Sequence, residues 1–139
     1  MAKNELINNL KGRHVAITDG VFAIAMTILV LEIAVPTITE ISSGVALGEY
    51  FINYLAPSII IYFISFYLVY NFWENTVILF NFKKINITIL TLNMLTMATV
   101  CLIPFATGFL FKFYKYTDVN IFFSLLILII SLLYILIFI

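Results

Sequence analysis

Three stretches of this chain run for more than twenty residues without a charge: Tyr50 to Trp73, Ile85 to Phe111, and Val119 to the end of the sequence. Crossing a hydrocarbon core takes about 20 helical residues. Only helices and closed barrels can cross, because every backbone polar group must be satisfied internally, and runs of this length select helices. A fourth apolar stretch, Val15 to Val35, is about 31 Å long at about 1.5 Å per residue, and it carries Asp19 and Glu32. Of the 139 residues, 64% are hydrophobic and only 10% are charged, a composition outside the soluble range. The reading is therefore an all-α polytopic membrane protein. It forms a single transmembrane domain over residues 1–139, with helices at about 14–35, 50–80, 85–113 and 118–139.

Seven basic residues balance seven acidic ones, so neither net charge nor any basic run points to a nucleic-acid partner. The expected surroundings are membrane lipid. Lys3, Lys11 and Arg13 precede the first span and Lys83 and Lys84 separate the second from the third, which predicts a cytoplasmic N-terminus. Lys11 and Arg13 before an apolar run raise a signal peptide, but Asp19 near its start and the continuation past Ala23-Ile24-Ala25 argue against one. The single Cys101 reads as a small buried hydrophobe. No cofactor or metal site is expected, since no metal-ligand or nucleophile spacing occurs.

Gly12 is a candidate break after a polar lead-in, and Pro36 opens a loop rich in Pro, Ser and Gly that carries Glu40 and approaches Glu49. In the second span Tyr54, Ser58, Tyr62 and Ser65, then Tyr67, Asn71 and Glu74, recur at helical spacing. Such a stripe is expected against other helices, because hydroxyls and amides facing lipid lose hydrogen bonds. In the third span Asn86, Asn93, Val100 and Thr107 stand seven apart, with Thr96 on the same face, which predicts inter-helix hydrogen bonding. Pro104 should kink that span. Thr117 and Asp118 are candidate N-caps for a fourth span that reads as lipid-facing.

Charge singles out the first span, because intramembrane carboxylates are costly and are functional candidates by default. At about 100° per residue, Thr27 lies about 60° and Leu31 about 20° from Ile24, so these three share a face, whereas Asp19 is about 140° away. If the Ile24 face lines a pathway, Asp19 faces another helix and pairs with Arg13, His14 or a polar group of another span. The alternative is ordinary packing by Ile24 and Leu31, with Thr27 bonding back to its own helix.

Arg13, Ile17-Thr18-Asp19, Gly20 to Thr27 and Leu29-Val30-Leu31-Glu32 resemble the first-helix signature of bacterial transmembrane protein 175 channels, whose hallmark is Arg, three residues, then Phe-Ser-Asp. The resemblance continues through Trp73, Leu79-Phe80, Leu92-Asn93, Pro104-Phe105 and Thr107. It implies a potassium-permeable homotetramer in the bacterial inner membrane, with the first helix of each subunit lining a central pore. By position it implies Ile24 as the hydrophobic constriction, Thr27 as a hydroxyl ring for selectivity, and Leu31 as a further apolar layer. Arg13, Thr18 and Asp19 would belong to a structural polar network.

The chain departs from the family pattern in three places. Phe-Ser-Asp becomes Ile17-Thr18-Asp19, the His that often follows the second-helix Trp is absent, and bacterial members have six helices where four are read here. The expected function is a passive potassium-over-sodium channel subunit with no catalytic chemistry and potassium as the permeant ion. A non-conducting scaffold or truncated channel fragment is the alternative, and a proton-coupled transporter or membrane enzyme ranks below both.

Overall fold

The computed structural model describes residues 2–35, 47–82 and 85–139. Among them, four helices are long and apolar enough to cross a membrane: Asn9–Glu32, Gly48–Phe82, Ile87–Phe113 and Thr117–Phe138. The loop from Pro36 that carries Glu40, and the Lys83-Lys84 turn, lie outside the described residues.

The first helix, α1, runs over Ala2–Ile28, passes through Gly12 without a break, and tightens into a 3-10 turn at Leu29–Glu32. It therefore starts well before residue 14, because the Lys, Glu and Leu residues ahead of Arg13 are good helix formers even where they are too polar for lipid. At Ile33 the backbone turns extended, with ψ of 107°. The second span begins as α2 (Leu47–Tyr50), widens into a π-turn (Phe51–Leu55) and continues as α3 (Ala56–Phe82). Pro57 explains the widening. It has no N–H for the carbonyl four residues back, and the wide turn, closed by Ala56 N–H donating to the Phe51 carbonyl, redistributes the backbone bonds.

Pro104 acts on the third span as expected. Helix α4 (Ile87–Val100) ends at a Cys101-Leu102 turn and α5 (Ile103–Phe113) restarts with Pro104 in its first turn, where a missing N–H costs nothing. Helix α6 (Thr117–Phe138) is the fourth span. Its N-cap is Tyr116 without a side-chain bond, rather than Thr117 or Asp118, and Asn120 ties the start down by donating to the Tyr114 carbonyl at 3.0 Å.

All four spans meet in one apolar core: Phe22, Ala25 and Leu29 from α1, Val69 and Phe72 from α3, Val100 from α4, Ile103 and Ala106 from α5, and Leu126, Ile130 and Tyr134 from α6. A smaller cluster of Leu79, Ile89 and Ile137 closes the end nearer Phe82 and Ile87. The fourth span is thus not wholly lipid-facing. Leu126, Ile130, Tyr134 and Ile137 form a buried stripe on an otherwise uniform helix.

The polar stripes divide. Asn93, Thr96 and Thr107 of the third span are fully buried, and Thr107 donates to buried Ser65 at 3.0 Å. Asn86 instead caps α4 by accepting from Ile89 N–H at 2.8 Å. In the second span Tyr67 is 66% exposed, Glu74 is exposed, and Asn71 and Ser58 return their bonds to the carbonyls of Tyr67 and Tyr54. Asn71 and Ser58 need no other helix, because local back-bonding satisfies them.

Tyr134 is the strongest polar tie of the fourth span. Its hydroxyl donates to the Phe72 carbonyl at 2.6 Å and touches Thr76 Oγ1, while its ring stacks on Phe72. Tyr134→Phe is expected to destabilise the bundle by about 0.6 kcal/mol, with about 1.7 kcal/mol as the ceiling for such bonds in membranes. Unfolding by SDS in mixed micelles measures this, with Tyr67→Phe on the exposed face expected to change nothing.

Candidate functional site

Two opposed stripes organise α1. Thr18, Phe22, Ala25 and Leu29 are buried, recurring every three to four residues as one face of a helix must. On nearly the opposite side Ile24 is 60% exposed, Leu31 77% exposed and Thr27 exposed. The three residues therefore share an uncovered face of the subunit. Thr27 Oγ1 donates to the Ile24 carbonyl at 2.9 Å, which commits its proton to its own helix and leaves the oxygen lone pairs directed away from that bond.

Behind that face lies a set of hydrogen bonds between spans. Thr18 Oγ1 donates to the His14 carbonyl at 2.9 Å and accepts from Asn93 Nδ2 at 3.1 Å. The same amide nitrogen stands 3.1 Å from His14 Nε2. An amide N–H donates only to a bare ring nitrogen, so this bond puts the neutral ring's proton on Nδ1. The imidazole also packs against Phe80, with centroids 5.7 Å apart. Asn93 Oδ1 is buried and has no partner among the described residues.

A second tie runs to the other neighbour of α1. Trp73 Nε1 donates to Asp19 Oδ1 at 2.8 Å, and Tyr70 lies against the indole, with centroids 5.7 Å apart. Asp19 thus takes its partner from another span rather than from Arg13 or His14. Arg13 is exposed and takes part in neither tie. His14, in sequence a candidate partner for Asp19, instead pairs with Asn93, a bond that sequence reasoning missed. The available signal was angular: His14 lies about 40° from Thr18, on the stripe that faces the third span.

The first span is held at its far end as well. Tyr50 Oη donates to the Ala34 carbonyl at 2.7 Å. Between α1 and the start of α5 runs a groove of about 340 Å³, with Ile24 on one wall, Phe105 on the other and Glu32 in its lining. Among the described residues, no group of three or more His, Cys, Asp or Glu side chains is placed to hold a metal ion.

Comparison with known proteins gives a consistent set of matches. A family model described as endosomal/lysosomal potassium channel TMEM175 matches residues 13–104. A potassium channel of Streptomyces collinus is 33% identical over 110 residues, covering 77% of this chain and 50% of that protein. A potassium channel of a Chryseobacterium species is 40% identical over 98 residues, covering 70% of this chain and 47% of the relative. The chain thus spans about half the length of these curated relatives. The crystal structure of a lysosomal potassium-selective channel TMEM175 homolog from Chamaesiphon minutus superposes with a TM-score of 0.84 at 28% identity, over 93% of this chain and 70% of that one.

The Trp73 to Asp19 bond can be tested by removing either side. Trp73→Phe keeps the ring and removes the donor, and is expected to cost about 1 kcal/mol, the usual net worth of one hydrogen bond. Asp19→Asn keeps an acceptor oxygen and is expected to cost less. Thermal unfolding of the two variants in one detergent measures the order, and equal losses would contradict it.

Proposed function

This chain belongs to the TMEM175 family, and from that membership we propose that it is a subunit of a potassium-permeable channel in which α1 lines the pore. The observation that carries the reading is the uncovered stripe of Ile24, Thr27 and Leu31, opposite the stripe that α1 buries in its own subunit. A face this apolar on a helix otherwise fixed by packing suits either lipid or an axis shared with other copies. The solved homolog's name, a potassium-selective channel, favours the axis.

In this reading four copies surround the pathway. Their Ile24 side chains form a narrow apolar ring that stops ions by excluding water, and Leu31 adds an apolar layer about two turns nearer the first loop. Thr27 supplies the polar step between them. Because its proton is bonded to the Ile24 carbonyl, the oxygen is free to accept part of a cation's coordination as the ion sheds water. Thr18, Asp19, His14, Asn93 and Trp73 act indirectly, by fixing the rotation of α1 that presents Ile24. Arg13 is assigned to the N-terminal mouth, at the side read from charge as cytoplasmic. Conduction is passive and needs no proton relay or catalytic group.

Potassium efflux from potassium-loaded liposomes that contain the purified, reconstituted chain tests the proposal. Thr27→Ala is expected to lower the potassium-to-sodium permeability ratio about two- to tenfold, the loss implied by one hydrogen-bond-sized contact. Ile24→Ala is expected to raise flux by widening the apolar ring, whereas Val119→Ala, on the fourth span, leaves it unchanged. No potassium flux from purified tetramer would overturn the channel reading and leave a non-conducting scaffold, or a unit that conducts only with the remaining length of its relatives.

A further inference from the structure

The groove beside α1 is a second candidate site, and nothing in the conduction reading uses it as one. It measures about 340 Å³, within the range of about 300–1,000 Å³ usual for small-molecule sites. One wall is Val21, Ile24 and Ile28 of α1, the other Cys101 and Phe105 at the restart of the third span, and Glu32 lies at the first-loop end. Ile24 stands on the ridge between this groove and the face assigned to the pore, so the groove flanks that face.

Among the described residues, Glu32 is the one charged side chain in the lining. Its carboxylate rests on Gly108, in the space that a side chain at that position would fill. The missing Cβ of Gly108 therefore leaves the room in which this charge sits. A carboxylate at the end of a membrane span calls for a cation or water, and among the described residues the lining brings no Lys or Arg to supply one. The rest of the surface is apolar, with the Phe105 ring 55% exposed.

We propose that this groove binds a lipophilic ammonium ion, its charged end on Glu32 and its apolar body between Ile28 and Phe105. Charge complementarity excludes anionic ligands. It also disfavours a phospholipid headgroup, whose phosphate would lie unpaired beside a carboxylate. A singly charged amine with an apolar or aromatic body satisfies both ends, through an ammonium–carboxylate bond and stacking on the Phe105 ring.

Cys101 is the sole cysteine of the chain and, against the buried position expected from sequence, is exposed in the groove wall, so its alkylation by a maleimide reports occupancy without any measurement of ion flux. The full chain in phosphatidylcholine nanodiscs is titrated at neutral pH with 4-phenylbutylammonium and, separately, with uncharged 4-phenylbutanol. The amine is expected to protect Cys101 at about tenfold lower concentration than the alcohol, and Glu32→Gln to abolish that difference. Gly108→Ala keeps the charge but displaces it, and is expected to weaken protection by the amine severalfold, which decides the matter should Glu32→Gln fail to fold. Equal potency of amine and alcohol, no protection by either, or unchanged amine potency in Glu32→Gln or Gly108→Ala would each overturn the proposal. Because no current is read, a non-conducting chain would leave this result standing.

Discussion

The rotation of α1 about its own axis is the constraint on which the rest of the structure depends. It is set by Thr18, Phe22, Ala25 and Leu29 on one side, and everything assigned to the first span follows from what that stripe leaves uncovered. In a membrane the apolar members of such a stripe gain little from leaving lipid, since lipid tails are equally apolar; what they gain is close packing. Packing alone tolerates small rotations. The hydrogen bonds of Thr18 with Asn93 and of Asp19 with Trp73 do not, because each is directional and each reaches a different helix. Two bonds to two neighbours fix an angle, as a single bond would not.

Much of the fold was legible because lipid imposes a simple code. Uncharged length marked the spans, and Pro104 marked the break in the third, since a missing N–H can be placed without loss only in the first turn of a helix. The seven-residue recurrence of Asn93 and Thr107 identified a face that does bond between helices. The separation of Asp19 from Ile24 was also legible, being arithmetic on a helix of known pitch.

What was not legible has a common cause. Tyr134 sits in a run of Leu, Ile and Phe where every face is equally apolar, so periodicity had no contrast to work with, and only packing shows that its hydroxyl meets Phe72 and Thr76. The stripe of Tyr67, Asn71 and Glu74 gave the opposite error. Polar side chains at helical spacing look like an interface, yet Asn71 satisfies itself on the Tyr67 carbonyl and needs no partner helix. The π-turn ahead of Ala56 follows from Pro57 once the backbone bonds are counted, but the residue drew no attention inside an uncharged window. The seat of Glu32 on Gly108 is a tertiary contact between positions 76 apart, and no local pattern encodes it.

The ties on α1 are unevenly distributed, and that unevenness bears on how an apolar constriction could change width. Thr18 and Asp19 are held by side-chain bonds to the third and second spans. The next tie to another span beyond the helix is Tyr50 on the Ala34 carbonyl, past the 3-10 turn. Between them lie Ile24, Thr27 and Leu31, where the remaining attachments are packing contacts and the carboxylate of Glu32 over Gly108. The 3-10 turn itself has poorer hydrogen-bond geometry than the helix it extends. With ties at Thr18 and Asp19 on one side and at Ala34 on the other, the segment is most compliant between them, so in the proposed pore a change in width would be largest around Thr27. The groove beside this compliant segment lies where an occupant would wedge α1 against α5, which gives the two sites a mechanical connection through Ile24 and Ile28.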